Sequence, residues 1–526
     1  MQERYYSYRT INHALQRHVV VRIINLFLGF AFQIMAVKIL EPAEFAAYAV
    51  LLAFLMTAQV FTTFGVDRII LRFIPHLTMR RQFNALWRLI SKLATLRFTA
   101  ILIFTLVLVA ARHYIFQLLR IEPDATTLIA IAIWFCALTI WADADALAQS
   151  WMMHYNAAFI ATLEISARVA VIIFMFFRHE VIELDTIVII SAATSMAAVV
   201  LLVLRLLSFT NCLQTTTSSE AIGESQTELD VNQVPSYAAA SYISTLGWVI
   251  TSPLLTRIVG ATGLGLIVLG AYSFAQGLLS STTRALPGML ILPALEPVLM
   301  AELSSGGPSP QILGALSLAT KLEFLAIFVL LILTTIAGQD ILRLLAKSEF
   351  APYYFVIPIL LIYYLFAMIY RVLELIVRMS LRHRIFVFLW PLGLLSLALT
   401  YLTVAQWGVW SVLVWPIVEI VSRIGVLLII LRVDGAWTAL DPARSLTVAA
   451  CTAVIISVLL VIHHVIGVEN LTATIDYMLA LTGMLILGGT LFVVKPLRTV
   501  ECEHLMRILP RSWPLVQNLL YQLTRS

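Results

Sequence analysis

Residues 93–112 read LATLRFTAILIFTLVLVAAR, in which only Arg97 and the terminal Arg112 are charged. A helix rises 1.5 Å per residue, so about 20 such residues match the hydrocarbon thickness of a bilayer. The stretch therefore reads as a membrane-crossing helix, and the rest of the chain repeats it. Comparable windows lie at 19–40, 44–66, 126–148, 157–177, 184–207, 237–259, 264–286, 312–336, 352–377, 385–404, 408–431, 445–466 and 475–494. Together these give 14 spans, and the fold class is an all-α polytopic membrane protein. Composition agrees: 61% of the 526 residues are hydrophobic and 12% charged, with mean hydropathy +0.95. Soluble domains carry roughly a quarter charged residues, so that class is excluded.

The formal charge of +5 reports topology, because Lys and Arg collect in cytoplasmic loops. With the N-terminal tail inside, twenty basic residues fall on the inner side, among them Arg68, Arg72, Arg80, Arg81, Arg88 and Lys92 in one connection. Only seven fall outside: Lys38, Arg112, Arg120, Arg178, Arg257, Arg343 and Lys347. An even number of spans returns the C terminus to the starting side, so both termini are expected in the cytoplasm of a bacterial inner membrane. Residues 1–40 have the basic start of a signal peptide, but their apolar stretch is too long for one and reads as retained. Cys136, Cys212, Cys451 and Cys502 show no metal or disulfide spacing, so neither a metal nor a cofactor is expected.

The polar, Ser/Thr-rich stretch 208–236 is the one linker-like segment. It divides an N-terminal lobe (1–207, spans 1–6) from a C-terminal lobe (237–431, spans 7–12). Two extra spans follow in 432–494, then a cytoplasmic tail (495–526) whose apolar and basic residues alternate as in an interfacial segment. Six spans being even, a second six-span unit enters the membrane in the same orientation, a parallel repeat. Ala47–Tyr48 and Ala271–Tyr272 open corresponding spans of the two halves. Among the outer connections 338–350 is the longest, too short for catalytic machinery.

ILEPAEFAAYAVLLA at 39–53 and FGVDRIILRFIPHL at 64–77 carry a family resemblance, with GAYSFAQGL at 270–278 as the second-lobe counterpart. They resemble the Wzx-type flippases of O-antigen and exopolysaccharide assembly, in the multidrug/oligosaccharidyl-lipid/polysaccharide exporter superfamily. Glu41 and Ala46 or Ala47 stand where that family has glycines, which implies a less permissive turn. The resemblance implies two six-helix lobes forming a V around a central cavity, plus two C-terminal helices.

Seven basic residues lie inside spans: Arg22, Arg97, Arg168, Arg284, Lys321, Arg371 and Arg423. A charge at the bilayer centre costs roughly 2.5–3.5 kcal/mol on insertion scales, so it normally faces a wet cavity or a partner. Arg22, Arg97 and Arg284 sit near helix ends, from which they can snorkel to the headgroups. Arg168, Lys321 and Glu419 lie mid-helix, with Arg423 a turn further in. Glu164 and Arg168 are spaced i, i+4, as are Glu419 and Arg423, while Arg371 and Glu374 are spaced i, i+3. Two readings stand side by side: the pairs neutralise one another, or their guanidinium forks bind the pyrophosphate of a cargo. On the second, Arg168, Arg22, Arg284, Lys321, Arg371 and Arg423 contact cargo. Asp143, Asp145, Glu164 and Glu419 are candidates for a coupling proton or cation, although Asp143 and Asp145 also read as a polar helix end. Trp134 and Trp141 flank them and could stack on sugar rings. His463 and His464 read as an outer loop, and Pro287, Pro293 and Pro297 as the end of the eighth span.

Nothing matches a nucleotide-binding loop, so transport draws on a gradient or on cargo flux. The expected function is flipping of undecaprenyl-pyrophosphate-linked oligosaccharide to the outer leaflet. Membrane lipids and a polysaccharide polymerase or co-polymerase are the expected partners, nucleic acid is not, and no enzymatic activity is expected. A multidrug exporter or lipid II flippase of the same superfamily is the alternative, and a membrane polymerase or ligase the alternative of another class. Topology is directly testable. Reporters inserted in 208–236 and after Lys495 should both read cytoplasmic, and a periplasmic signal at either place would refute the span count.

Overall fold

The computed structural model describes residues 8–79, 82–151, 153–178 and 182–217, short pieces between 238 and 249, and 252–286. Beyond these it describes 310–379, 384–431, 442–465, 473–494, 497–498 and 524–525. Nearly all of them are helical. The first half comprises α1 (Tyr8–Ile39), α2 (Pro42–Phe61), α3 (Val66–Met79), α4 (Phe83–Ala110), α5 (Arg112–Leu119), α6 (Ala125–Ser150), α7 (His154–Phe177) and α8 (Leu184–Thr217). The second comprises α9 (Pro253–Gly263), α10 (Leu266–Ala285), α11 (Pro310–Leu345), α12 (Val356–Met379), α13 (Arg384–Trp407), α14 (Val409–Leu431), α15 (Pro442–Val465) and α16 (Ala473–Val494). A two-residue parallel pairing joins Leu497–Arg498 to Thr524–Arg525. Among the described residues ten helices are long and apolar enough to cross a membrane, and Ala450–Val461 and Met478–Leu487 are shorter apolar stretches. The class read from the sequence, an all-α polytopic membrane protein, is the one found.

Helix is what lipid demands, since hydrocarbon offers no partner to a backbone N–H or C=O. The rule extends to hydroxyls on the exposed faces. Thr95 and Thr99 donate to the carbonyls of Ser91 and Thr95, both at 2.9 Å, and Ser457 and Thr482 to those of Ala453 and Met478, both at 2.8 Å. Each closes onto the preceding turn of its own helix.

Helix starts are chemically specified. Glu41 caps α2 in a capping box, its own N–H donating to Glu44 Oε2 at 3.2 Å, with Pro42 at the first helical position. Its φ of −61° asks for no glycine, so the departure from the family's usual residue costs the turn nothing. Asp124 caps α6 by accepting from Thr127 N–H at 2.6 Å, and that bond holds the Asp124 carboxyl below the usual carboxylate range.

The packing forms two compact units, one of Met1–Ser273 with His383–Gly408, the other of Phe274–Arg382 with Val409–Ser526. In the first, α3 is an element the sequence reading treated as inner connection. Val66, Ile69, Ile70, Phe73, Ile74 and Leu77 make a helical stripe that buries against Ala144, Ala146 and Ala148 of α6 and Ala198, Leu202 and Leu206 of α8. α2 and α3 are separated by a break in which Phe64 (φ 49°) and Gly65 (φ 74°) are both left-handed. Tyr242 closes over the break, its hydroxyl donating to Phe61 O at 2.6 Å and its ring 5.4 Å from that of Phe64.

Several expectations need correction. The linker does not begin at 208, because α8 continues to Thr217. The outer connection 338–350 is largely helical, α11 running to Leu345 and a 3-10 turn occupying Ser348–Tyr353. His463 and His464 are the last turn of α15 and not a loop. Arg257 is not on a loop: it is buried in α9, 5% exposed, with Nη1 donating to Ala49 O at 3.4 Å and Nη2 to Ser273 O at 3.3 Å. Pro287, Pro293, Pro297, the linker from 218 to 236, Cys502 and most of the tail lie outside the described residues.

A side chain at Gly65 would place its Cβ 2.8 Å from the backbone oxygen of Ala238, at a φ that costs an L-residue about 1–2 kcal/mol. Gly65→Ala should therefore lower the thermal midpoint of the purified protein by several degrees, while Gly408→Ala, whose Cβ meets nothing within 4 Å, pays the φ penalty alone.

Candidate functional site

Arg168 lies 14 residues into α7, so its backbone is about 21 Å from the start of that helix, beyond the reach of a stretched side chain to either surface. The first unit surrounds it with polar groups from α8 and aromatic ones from α1, α2 and α6. Arg168 Nη2 forms an ion pair with Glu164 one turn earlier, as the spacing predicts. The same nitrogen donates to Ser195 Oγ at 3.1 Å, and Nε donates to Thr194 Oγ1 at 3.4 Å. Ser195 in turn donates to Glu164 Oε1 at 2.6 Å, so the carboxylate has a second partner. The guanidinium carbon stands 5.3 Å over the ring of Phe32. Tyr48 completes the wall, its ring stacked at 6.0 Å on that of Trp134. The Arg168 side chain keeps 12% exposure.

Trp134 is 1% exposed, so it is a wall and not a sugar platform. Its partner Tyr48 belongs to the Ala-Tyr motif whose counterpart is Tyr272, likewise buried, with its hydroxyl 2.8 Å from Thr256 Oγ1. In both halves the motif's function is to seat a buried tyrosine.

The acidic pair of α6 divides. Asp145 accepts from Gln149 Nε2 at 2.9 Å and feels the charge of Arg22, which also faces His154. Asp143 instead binds Arg97 of α4, Nε to Oδ2 at 2.8 Å. Arg97 thus does not snorkel to the headgroups as its position near a helix end implied. It turns inward because a counter-ion waits there.

In the second unit Arg423 pairs with Glu419 on α14, and Nη1 lies 3.5 Å from the Tyr370 hydroxyl of α12, whose ring stands 5.7 Å from the guanidinium carbon. Arg423 is 2% exposed and Glu419 3%. Lys321 and Glu323 are both buried on α11, and Arg371 and Glu374 are half-buried on α12. Arg284 belongs to α10, and its side chain is outside the described ones. The candidate residues thus form separate local clusters in the two units.

Sequence reasoning missed a cavity of about 290 Å³ in the first unit, where α2, α6 and α8 begin. Glu44, Glu122, Glu183 and Asp185 line it with Arg120, whose Nη1 donates to Leu264 O at 3.1 Å. Its acids come from three separate connections, so no local spacing announces it.

This arrangement of long apolar helices with charges paired inside them defines a polytopic membrane protein with the fold of the MOP superfamily transporters. A lipid II flippase, MurJ, in an inward closed conformation superposes with TM-score 0.60 at 10% identity, covering 90% of this chain and 97% of its own. An inward-facing multidrug resistance MATE family transporter gives TM-score 0.55 at 13% identity over 80% of this chain and 99% of its own. A MOP superfamily transporter from Pyrococcus furiosus gives 0.55 at 12%, covering 81% and 96%. The family model described as polysaccharide biosynthesis protein matches residues 17–299, and the chain belongs to that family. No curated protein sequence matches it.

The sealed Arg423–Glu419 pair makes a stability prediction. Arg423→Met strands a buried carboxylate and should cost about 3–5 kcal/mol, seen as low membrane abundance. The double change Glu419→Gln with Arg423→Met should recover most of it. Equal loss in single and double variants would disprove the pairing account.

Proposed function

We propose that the chain is a flippase carrying an undecaprenyl-pyrophosphate-linked oligosaccharide repeat unit from the cytoplasmic to the outer leaflet of the inner membrane. It acts by alternating access, in O-antigen, capsule or exopolysaccharide assembly, with both termini cytoplasmic and without enzymatic chemistry. Family membership supports the polysaccharide context, and the fold shared with a lipid II flippase supports a lipid-linked cargo. The observation that carries the reading is Arg168, a guanidinium deep in the membrane whose ion-pair partner among the described residues is the single carboxylate of Glu164. Its other contacts are neutral hydroxyls and an aromatic face, which leave room for a second anion. A diphosphate offers the planar oxygen pairs that such a fork binds. Glu164 keeps the Ser195 hydroxyl when Arg168 is withdrawn toward cargo, so it is not stranded.

The test is membrane abundance beside surface-glycan export. Arg168→Ala should reach near-normal abundance with export reduced at least tenfold, and Arg168→Lys should keep partial export because charge survives but the fork does not. Restored export in the double change Glu164→Ala with Arg168→Ala would remove Arg168 from the cargo path.

A further inference from the structure

Two guanidiniums buried in the first unit each face a carboxylate: Arg97 of α4 meets Asp143, and Arg168 of α7 meets Glu164. Further down α4 the situation changes. Arg88 and Lys92, nine and five residues before Arg97, are exposed, and so is Ser91 between them. Their i, i+3, i+4 spacing puts all three on one helix face. α4 contains no acidic residue at all. Among the described residues no carboxylate pairs with Arg88 or with Lys92.

Depth separates the two groups. The 28 residues of α4 span about 42 Å, some 12 Å more than a hydrocarbon layer of about 30 Å. Counted from Ala110, Lys92 lies about 27 Å along the helix and Arg88 about 33 Å, so the pair straddles the hydrocarbon boundary. There a long cationic side chain reaches the headgroup phosphates while its stem stays in apolar surroundings. α3 adds charge at the same level. The N–H of Gln82 donates to Leu77 O at 3.0 Å, joining α3 to α4 by a tight turn. Arg72 is about 10 Å from that turn along α3, and Arg88 about 8 Å along α4. Arg72 is exposed, its guanidinium carbon 5.7 Å from the ring of Phe73. Arg68, one turn earlier, shares its charge with Asp67 at 3.7 Å.

The edge is held in place from behind. Ile69, Ile70, Phe73 and Leu77 of α3 share one buried cluster with Leu86 and Leu93 of α4. Ser150 Oγ donates to Ile70 O at 3.2 Å, and Trp151 Nε1 to Thr78 Oγ1 at 3.3 Å, fastening α3 to the end of α6. We infer that Arg72, Arg88 and Lys92 form a docking edge for the headgroups of anionic phospholipids in the leaflet nearest the α3–α4 turn. Charge complementarity carries the choice of occupant: three exposed cations, two of them on an acid-free helix, lie at the depth of the lipid phosphates. A zwitterionic headgroup offers the same phosphate beside its own cation, so the edge selects lipids of net negative charge. Charges within the hydrocarbon thus take their counter-ions from the protein, and those at its boundary take theirs from the membrane. The inference rests on neither the cargo nor the transport reaction.

The test uses the full-length protein in phosphatidylcholine vesicles doped with spin-labelled phosphatidylglycerol or spin-labelled phosphatidylcholine. The motionally restricted fraction of each label reports the lipid held at the protein surface. The parent should prefer phosphatidylglycerol by about threefold or more, and high salt should weaken that preference. Arg88→Gln with Lys92→Gln should bring it close to parity at an unchanged thermal midpoint, both side chains being exposed. Lys38→Gln, an exposed basic residue at the other end of α1, should leave it intact. If the double variant does not fold, each single change should lower the preference part of the way. Equal preference in parent and variants, or none in the parent, would overturn the docking edge. Loss of the preference to inorganic diphosphate at constant ionic strength would overturn it too, assigning these residues to soluble phosphates. Glycan export enters none of these measurements, so this inference and the flippase reading fall separately.

Discussion

A charged side chain within the hydrocarbon region persists only if an opposite charge and hydrogen-bond partners stand within a few ångströms, because water is not there to supply them. The interior of this protein is organised by that demand, met in three different ways. Arg423 is paired with Glu419 on its own helix and lies against Tyr370, both charged side chains being almost wholly buried. Arg168 shares an intrahelical carboxylate but spreads its remaining donors over hydroxyls of α8, staying slightly accessible. Arg97 is paired across helices and left with idle nitrogens.

What the sequence disclosed follows the range of the interaction. Pairs four residues apart are fixed by the helical repeat, so Glu164–Arg168 and Glu419–Arg423 were legible before any coordinates. Arg97 and Asp143 are 46 residues apart, and nothing local tells Arg97 to turn inward. Position along the helix pointed to the headgroups instead. α3 was hidden for another reason: its stripe of six apolar residues is interspersed with Asp67, Arg68 and Arg72, and a hydropathy window averages the two faces together. The apolar spans themselves needed no such resolution, which is why the fold class was plain.

The resemblance motifs have gained physical content. The first holds a capping box and a buried tyrosine, and Glu41 supplies by side-chain chemistry what a glycine supplies by conformational freedom. In the second, a glycine is favoured, since Gly65 stands at a left-handed break pressed against the carbonyl of Ala238. The family pattern thus mixes positions where several residues serve with positions where one does.

The hydroxyls that fold back onto their own helices bear on the low identities, 10–13%, at which this architecture superposes on other transporters. A threonine such as Thr99 or Thr482, self-satisfied and turned outward, presents acyl chains with little more than a methyl group. Exchange with valine, or of Ser457 with alanine, is then nearly silent in lipid. The outward faces of this chain can thus exchange small and branched residues freely, whereas its inward charges are each tied to a particular partner.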